Sequence, residues 1–250
     1  RCVESCPLEM PVPQMIQRLR EEQAQTQGNG LVKSGVFHIL STNALSPLMK
    51  VGRKFQGIAL KEQPQHEALL RFNANKIGIA GIPKDRLLPT LAKQSFPELI
   101  AKKSPLKKPK SKVAFFAGCL VNYAYPQIGL DCYDVLMANQ VQMVTFKNEA
   151  CCGLPAIMSG DTKAAEKMAK ENIHLLSSKE YDYLIFTCPS CAVTVKEEWE
   201  RLLAHCDDET LLAQYKAIQS KVIDLNDYLV NILHIQPPVL KEPVSVTWHD

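Results

Sequence analysis

The chain has 250 residues, of which 46% are hydrophobic and 22% charged, and its formal net charge is +3. That length supports one large domain or two smaller ones around a real apolar core, with the composition of an ordinary globular protein. A charge this small makes no electrostatic case for nucleic acid. No run of 18 apolar residues offers a membrane span, and no apolar signal segment follows Arg1 and Cys2.

The N-terminal stretch opens Cys2-Val-Glu-Ser-Cys6-Pro7. This has the form of the last two cysteines of the bacterial ferredoxin run C-x2-C-x2-C-x3-C-P. The earlier cysteines of that run are absent, so residues 1–30 read as the C-terminal end of a ferredoxin-like domain. Met15, Ile16 and Leu19 then recur at helical spacing after Pro11 and Pro13. Residues 31–100 form a mostly helical connecting region, with Pro47 and Gly52 as expected interruptions, Gly78, Gly81, Pro83 and Pro89 further on, and a short helix ending near Ile100. Residues 101–112 are a linker with six lysines (Lys102, Lys103, Lys107, Lys108, Lys110, Lys112) and two prolines. It reads as a solvated tether or as a patch for anionic lipid or an acidic partner.

From Val113 the pattern alternates between strand and helix. Strands are expected at 113–117, 141–146, 183–187 and 244–247. Helices are expected at 128–137, at 162–176 with Asp161 as N-cap, at 193–203 and at 223–233. Such alternation predicts an α/β fold with a mainly parallel sheet flanked by helices, spanning 113–243. Residues 244–250 read as the start of a second, truncated domain. Both ends of the chain look cut.

Nine cysteines need a cause, and seven of them fall into tight groups: Cys2 with Cys6, Cys151 with Cys152, Cys188 with Cys191, and Cys119 after an apolar strand. The odd count and the clustering argue against a secreted disulfide framework and for metal ligation. Cys119 is followed by 31 residues, then Cys151-Cys152-Gly153, then 34 residues, then Cys188-Pro189-Ser190-Cys191. In a parallel sheet, ligands gather at the carboxyl ends of strands. Cys119, the Cys151–Cys152 pair and Cys188 each follow a different predicted strand. Thiolates are soft ligands that suit zinc or iron–sulfur clusters. Five are one more than a tetrahedral zinc site takes, which favours a cluster of several irons. Gly153 is expected where the backbone passes close to the inorganic core, and Pro189 stiffens the C-x-x-C turn.

This cysteine pattern resembles the cysteine-rich CCG domain. That domain is shared by the B-subunit of heterodisulfide reductase, the iron–sulfur subunit of glycolate oxidase, lactate-utilisation proteins and the C-subunit of anaerobic glycerol-3-phosphate dehydrogenase. The segments Ala117-Gly-Cys-Leu-Val-Asn-Tyr-Ala-Tyr-Pro-Gln-Ile-Gly129 and Cys151-Cys-Gly-Leu-Pro155 resemble those of the last protein, as does Lys84-Asp-Arg-Leu-Leu-Pro89 with Gln94-Ser-Phe96. The resemblance implies [4Fe-4S] clusters: a noncubane one on Cys119, Cys151, Cys152, Cys188 and Cys191, and ferredoxin cubane clusters involving Cys2 and Cys6 in an intact chain. It implies an electron-transfer subunit that takes electrons from an FAD-containing dehydrogenase partner acting on glycerol 3-phosphate or a 2-hydroxy acid such as glycolate or lactate. Electrons would pass towards quinone or a membrane anchor, with the protein cytoplasmic and peripheral on the cytoplasmic face of the inner membrane. The chain shows no Gly-rich nucleotide fingerprint, which places the flavin on another subunit. Two other readings are a heterodisulfide-reductase-type catalytic subunit and a zinc-stabilised assembly module. Among the remaining residues, Cys132 is expected as a packed core thiol, Cys206 as exposed, His174 as structural, and His249 as a weak polar candidate.

Overall fold

A computed structural model describes residues 7–41, 45–63, 67–71, 85–236 and 245. The strand expected at 244–247 and the turn residues Gly78, Gly81 and Pro83 lie outside the described residues.

Helix α1 (Val12–Gln27) carries Pro13 in its first turn, where the ring's fixed φ suits helix entry. It buries no residue, yet the Arg20 guanidinium reaches the Met158 carbonyl at 3.0 Å and Glu21 pairs with Arg201. Two more helices follow, α2 (Leu31–Leu40) and α3 (Leu45–Ala59). Both expected interruptions fall inside α3. Pro47 sits in its first turn, where no intrahelical N–H is missed. At Gly52 a Cβ would meet the Leu91 side chain at 3.3 Å, so the glycine admits a close neighbour. The connecting region is not helical throughout. It contains a three-stranded antiparallel sheet in which β1 (Leu60–Gln63) pairs with β2 (Glu67–Leu70) and β2 with β3 (Leu88–Pro89). These strands are too short for periodicity to reveal. Helix α4 (Phe96–Ile100) opens with a capping box between Ser95 and Glu98.

The second half is the expected α/β unit. Four strands, β4 (Ser111–Phe116), β5 (Val141–Val144), β6 (Tyr183–Phe186) and β7 (Val222–Asp224), form one parallel sheet in the order β5-β4-β6-β7. Strand β4 starts at Ser111, two residues ahead of the predicted position. Helices α5 (Gly118–Tyr123) and α6 (Pro126–Ala138) connect β4 to β5. Helices α7 (Leu154–Met158) and α8 (Thr162–Ser177) connect β5 to β6. Asp161 caps α8 by accepting from the Ala164 N–H at 3.1 Å. After β6 the chain is helical from Pro189 to Leu202, through α9 (Pro189–Val193), a π-helical stretch (Thr194–Glu198) and α10 (Trp199–Leu202).

Two elements differ from the sequence reading. Helix α11 (Glu209–Gln219) is not among the expected helices, although Asp208 caps it and Leu211, Tyr215 and Ile218 line one buried face. Ile223 lies in β7 rather than in a helix; Asp224 then caps the short turn α12 (Leu225–Asp227) by accepting from Asn226 and Asp227 N–H groups.

A parallel sheet is buried on both faces, so its strands are nearly continuous apolar runs. Ala114, Phe116, Leu184 and Phe186 pack into one core with Met168, Ile173, Trp199 and Tyr215. Val113, Phe115, Val141, Met143 and Ile185 pack into the other with Phe96, Leu136 and Tyr228. Among the described residues no helix is long and apolar enough to cross a membrane.

Glu98 ties α3 to α4. Partial burial opposes its charge, but the Ser95 N–H and the Arg53 guanidinium outweigh it and hold the carboxyl at about 2. A folded-state value below the unfolded one means that the ionised group stabilises the fold above the ordinary value of 4.5, and that this contribution is lost as pH falls towards about 2. Replacing Glu98 by Gln should therefore flatten the acid side of the stability curve across that window, as measured by urea denaturation at stepped pH. An unchanged slope would show that the carboxyl does not hold this junction.

Candidate metal centre

Strands β4, β5 and β6 run parallel, with Phe116 paired to Phe186 at the last rung. Their carboxyl ends open on one edge of the sheet, and each passes into a loop or helix that carries thiols. Cys119 lies in the first turn of α5, after β4. Cys151 and Cys152 lie in the loop between β5 and α7. Cys188 precedes α9 directly after β6, and Cys191 sits in the first turn of α9. All five are free thiols; Cys151, Cys152 and Cys191 are buried, and Cys119 and Cys188 are partly exposed. Cys2 and Cys6 lie outside the described residues.

The five thiols influence one another in sequence. Cys151 hydrogen-bonds to Cys119 and to Cys152, and both bonds push its thiol pKa up while lowering those of its two partners. Cys191 stands likewise between Cys152 and Cys188, with its own value raised and theirs lowered. The thiolate is favoured at Cys152 and Cys188, where more than a neighbouring thiol lowers the value. Backbone amides reinforce it: Cys188 faces the N–H groups of Cys191 and Ser190, and Cys152 faces that of Leu154. Among the described residues no three His, Cys, Asp or Glu side chains gather around one point as ligands of a single ion. A string of five soft donors fits a polynuclear iron–sulfur group better than one small cation.

Two glycines shape the loops. Gly153 has a φ of 101°, and a Cβ on it would face Ala165 of α8 at 3.5 Å. The left-handed φ is what calls for a glycine here, since the distance to α8 is an ordinary van der Waals contact. Gly118, which the sequence pattern does not single out, has a φ of 61°, and a Cβ there would sit 3.4 Å from the Cys191 sulfur.

The Cys151–Cys152 loop has no regular structure, so its polar groups need partners from outside. Asn172 of α8, fully buried, accepts from the Ala150 N–H at 3.0 Å and donates to the carbonyls of Ala150 (3.2 Å) and Cys151 (3.0 Å). The Trp199 indole N–H donates to the Cys152 carbonyl at 2.8 Å. The Cys151 N–H donates to the Leu40 carbonyl, so the end of α2 forms part of the wall. Glu149 is also buried; burial pushes its carboxyl up to about 8, against the opposing pull of the Gly118 N–H and the Asn122 amide. None of these side chains stands out in the sequence reading. The polar residue beside Cys-Cys is the available signal for Glu149, whereas Asn172 and Trp199 look like any helix residues.

Cys132 is buried in α6, and desolvation pushes its thiol up to about 12, as a packed core thiol requires. Cys206 is only partly exposed, contrary to expectation; it packs against the core beside Leu203. His174 is exposed in the last turn of α8. His249 lies outside the described residues.

The fold and the site together define a cysteine-rich α/β domain with thiols converging from three parallel strand ends. Residues 113–196 match the family model of the CCG cysteine-rich domain. An uncharacterised iron–sulfur protein of Methanococcus maripaludis is 31% identical over 158 residues, 63% of this chain and 28% of that protein. The C-subunit of anaerobic glycerol-3-phosphate dehydrogenase from Escherichia coli is 35% identical over 97 residues, 38% of this chain and 24% of its own length. Lactate utilization protein A of Shouchella clausii is 31% identical over 124 residues, 50% of each chain. The matches thus cover between 24% and 50% of these relatives' lengths. No solved structure matches.

Replacing Asn172 by Ala leaves one amide and two carbonyls without partners in a buried loop. It should destabilise the fold by about 2–4 kcal/mol, measured by chemical denaturation. A loss within about 0.5 kcal/mol, as at a surface site, would mean that the loop holds itself.

Proposed function

We propose that this chain is an iron–sulfur electron-transfer subunit of a flavin-dependent dehydrogenase, and that Cys119, Cys151, Cys152, Cys188 and Cys191 hold a [4Fe-4S]-type cluster of noncubane form. The observation that carries this reading is the continuous chain of five free thiols delivered by three strand ends. A cluster bound there supplies one-electron transfer; the protein supplies ligands, orientation and electrostatics. The residues divide that work. Cys152, Cys191 and Cys151 are ligands from the interior, while Cys119 and Cys188 reach the surface where electrons would enter or leave. Amide N–H groups of Leu154, Ser190 and Cys191 point at sulfur, the arrangement that tunes cluster potentials. Phe116, Phe186 and Trp199 keep the inner side dry.

The name of the glycerol-3-phosphate dehydrogenase relative supports a place in a dehydrogenase of several subunits. On this reading, oxidation of glycerol 3-phosphate or a 2-hydroxy acid belongs to an FAD-containing partner, and electrons leave towards quinone. Cys2 and Cys6 join ferredoxin-type cubane clusters completed by other cysteines. Attachment to the cytoplasmic face of the inner membrane is peripheral and electrostatic. A groove at the amino ends of the strands supports that last part. Lys110, Lys112, Lys179 and Lys221 line it, with Glu180 and Asp182 as partial offset.

Anaerobic reconstitution should load iron and acid-labile sulfide in matching amounts onto the full chain. Cys152→Ser should lose most of that iron, because a hydroxyl is a much harder and less acidic ligand. Cys132→Ser and Cys206→Ser should keep theirs, with Cys132→Ser costing only about 1–3 kcal/mol of stability. Tightly bound zinc without sulfide, or equal iron loss in all three variants, would overturn the assignment.

Vesicles of anionic lipid should sediment the protein at low salt and release it as screening increases. Exchange of Lys102, Lys103, Lys107, Lys108, Lys110 and Lys112 for Ser and Gln should abolish sedimentation. Equal sedimentation of the two proteins would leave the linker as a plain tether.

A further inference from the structure

The three thiol-bearing loops are not fixed in the same way. The Cys151–Cys152 loop is held to α8 by Asn172, to α10 by Trp199 and to α2 through Leu40. Cys188 and Cys191 are placed by α9 itself. Cys119 has a different problem. It stands in a six-residue helix after a glycine of positive φ, a backbone with little rigidity of its own. Its sulfur must nevertheless meet that of Cys151, which comes from the neighbouring strand.

Glu149 bridges that gap. It lies two residues before Cys151 and is only 5% exposed. Its Oε2 accepts from the Gly118 N–H at 2.9 Å and from the Asn122 side-chain amide at 3.3 Å. The first donor is the residue next to Cys119, and the second lies one helical turn further on. One carboxyl oxygen thus joins both ends of the Cys119 turn to the segment that carries Cys151. Asn122 is itself 3% exposed, so the bridge is inside the protein, where such bonds are strong and costly to leave unmade.

We propose that Glu149 is a positioning residue that sets Cys119 against Cys151, and so closes the Cys119 end of the five-thiol site. The proposal rests on the cluster-binding reading for its purpose, but the arrangement it describes is a property of the thiols and can be measured without iron. It separates Glu149 from Asn172 and Trp199, which support the Cys151–Cys152 loop alone.

The test uses the full chain without metal, in two backgrounds. In the first, Cys152, Cys188 and Cys191 are Ser, leaving Cys119 and Cys151 as the thiols of the site. In the second, Cys119, Cys151 and Cys188 are Ser, leaving Cys152 and Cys191. Diamide oxidises the two thiols to a disulfide and is itself reduced to the hydrazine; peptide mapping follows the rate. Loss of held proximity shows directly in such a rate, so Glu149→Ala should slow Cys119–Cys151 closure about tenfold or more while leaving Cys152–Cys191 closure within about twofold. Glu149→Gln, which keeps an acceptor oxygen at the same reach, should restore most of the Cys119–Cys151 rate. If Glu149→Ala does not fold, Glu149→Asp takes its place; its shorter carboxylate should give the same selective loss. Slowing of both pairs alike would mark Glu149 as a general stabiliser, and slowing of neither would mark it as idle; either result overturns the proposal. Reconstitution of the wild type runs alongside. Zinc without sulfide there would remove the cluster reading and leave the thiol-pair result standing, whereas a normal cluster with unselective rates would remove only the role given to Glu149.

Discussion

Everything at the thiol edge depends on the parallel pairing of β4 with β5 on one side and β6 on the other. Parallel strands bring all their carboxyl ends to one side, and each crossover helix returns the chain to the other. Residues 32 or more positions apart in sequence then meet without any long loop having to fold back. Cys119, Cys151 and Cys188 each lie two to seven residues beyond the end of a strand. Their convergence is a property of the sheet, and the local turns only adjust it.

Those turns are built at some cost. Gly118 and Gly153 both adopt positive φ, and the intervening loop leaves amides and carbonyls with no secondary structure to satisfy them. The protein answers with buried side-chain partners: Asn172, Trp199 and Glu149. Polar atoms in such a place are favourable only when fully paired. The π-helical stretch at Thr194–Glu198 serves the same end, since it lies between Cys191 on α9 and Trp199 on α10 and sets the register between them.

The α/β layout is legible in the sequence because two independent signals agree. Val113 to Phe116 and Tyr183 to Phe186 are apolar runs typical of strands buried on both faces, and 162–176 has helical period with Asp161 ahead of it. The placing of Cys119, Cys151, Cys152, Cys188 and Cys191 beyond three strand ends is legible from their spacing and the predicted strands. What the sequence hides has physical reasons. Strands β1 and β2 have four residues each, too few to separate alternation from chance. Ile223 stands directly before the helical segment in which Leu225, Leu229 and Leu233 recur every four residues, and pairing with Ile185 decides for a strand. A turn at Gly153 is readable but its left-handed φ is not, since φ is visible only in three dimensions. Asn172 is invisible for the same reason: a buried amide on an amphipathic helix reads as a surface residue until the loop that it serves is in place.

The sheet also has a direction. Thiols occupy the carboxyl ends of its strands, and the lysine groove occupies the amino ends. Strand β4 spans both with six residues, or roughly 20 Å at the usual rise per residue. A body gripped by its basic pole therefore turns its sulfur pole outward. On the proposed function, tethering and electron exchange would share no surface, and neither would have to wait for the other to let go.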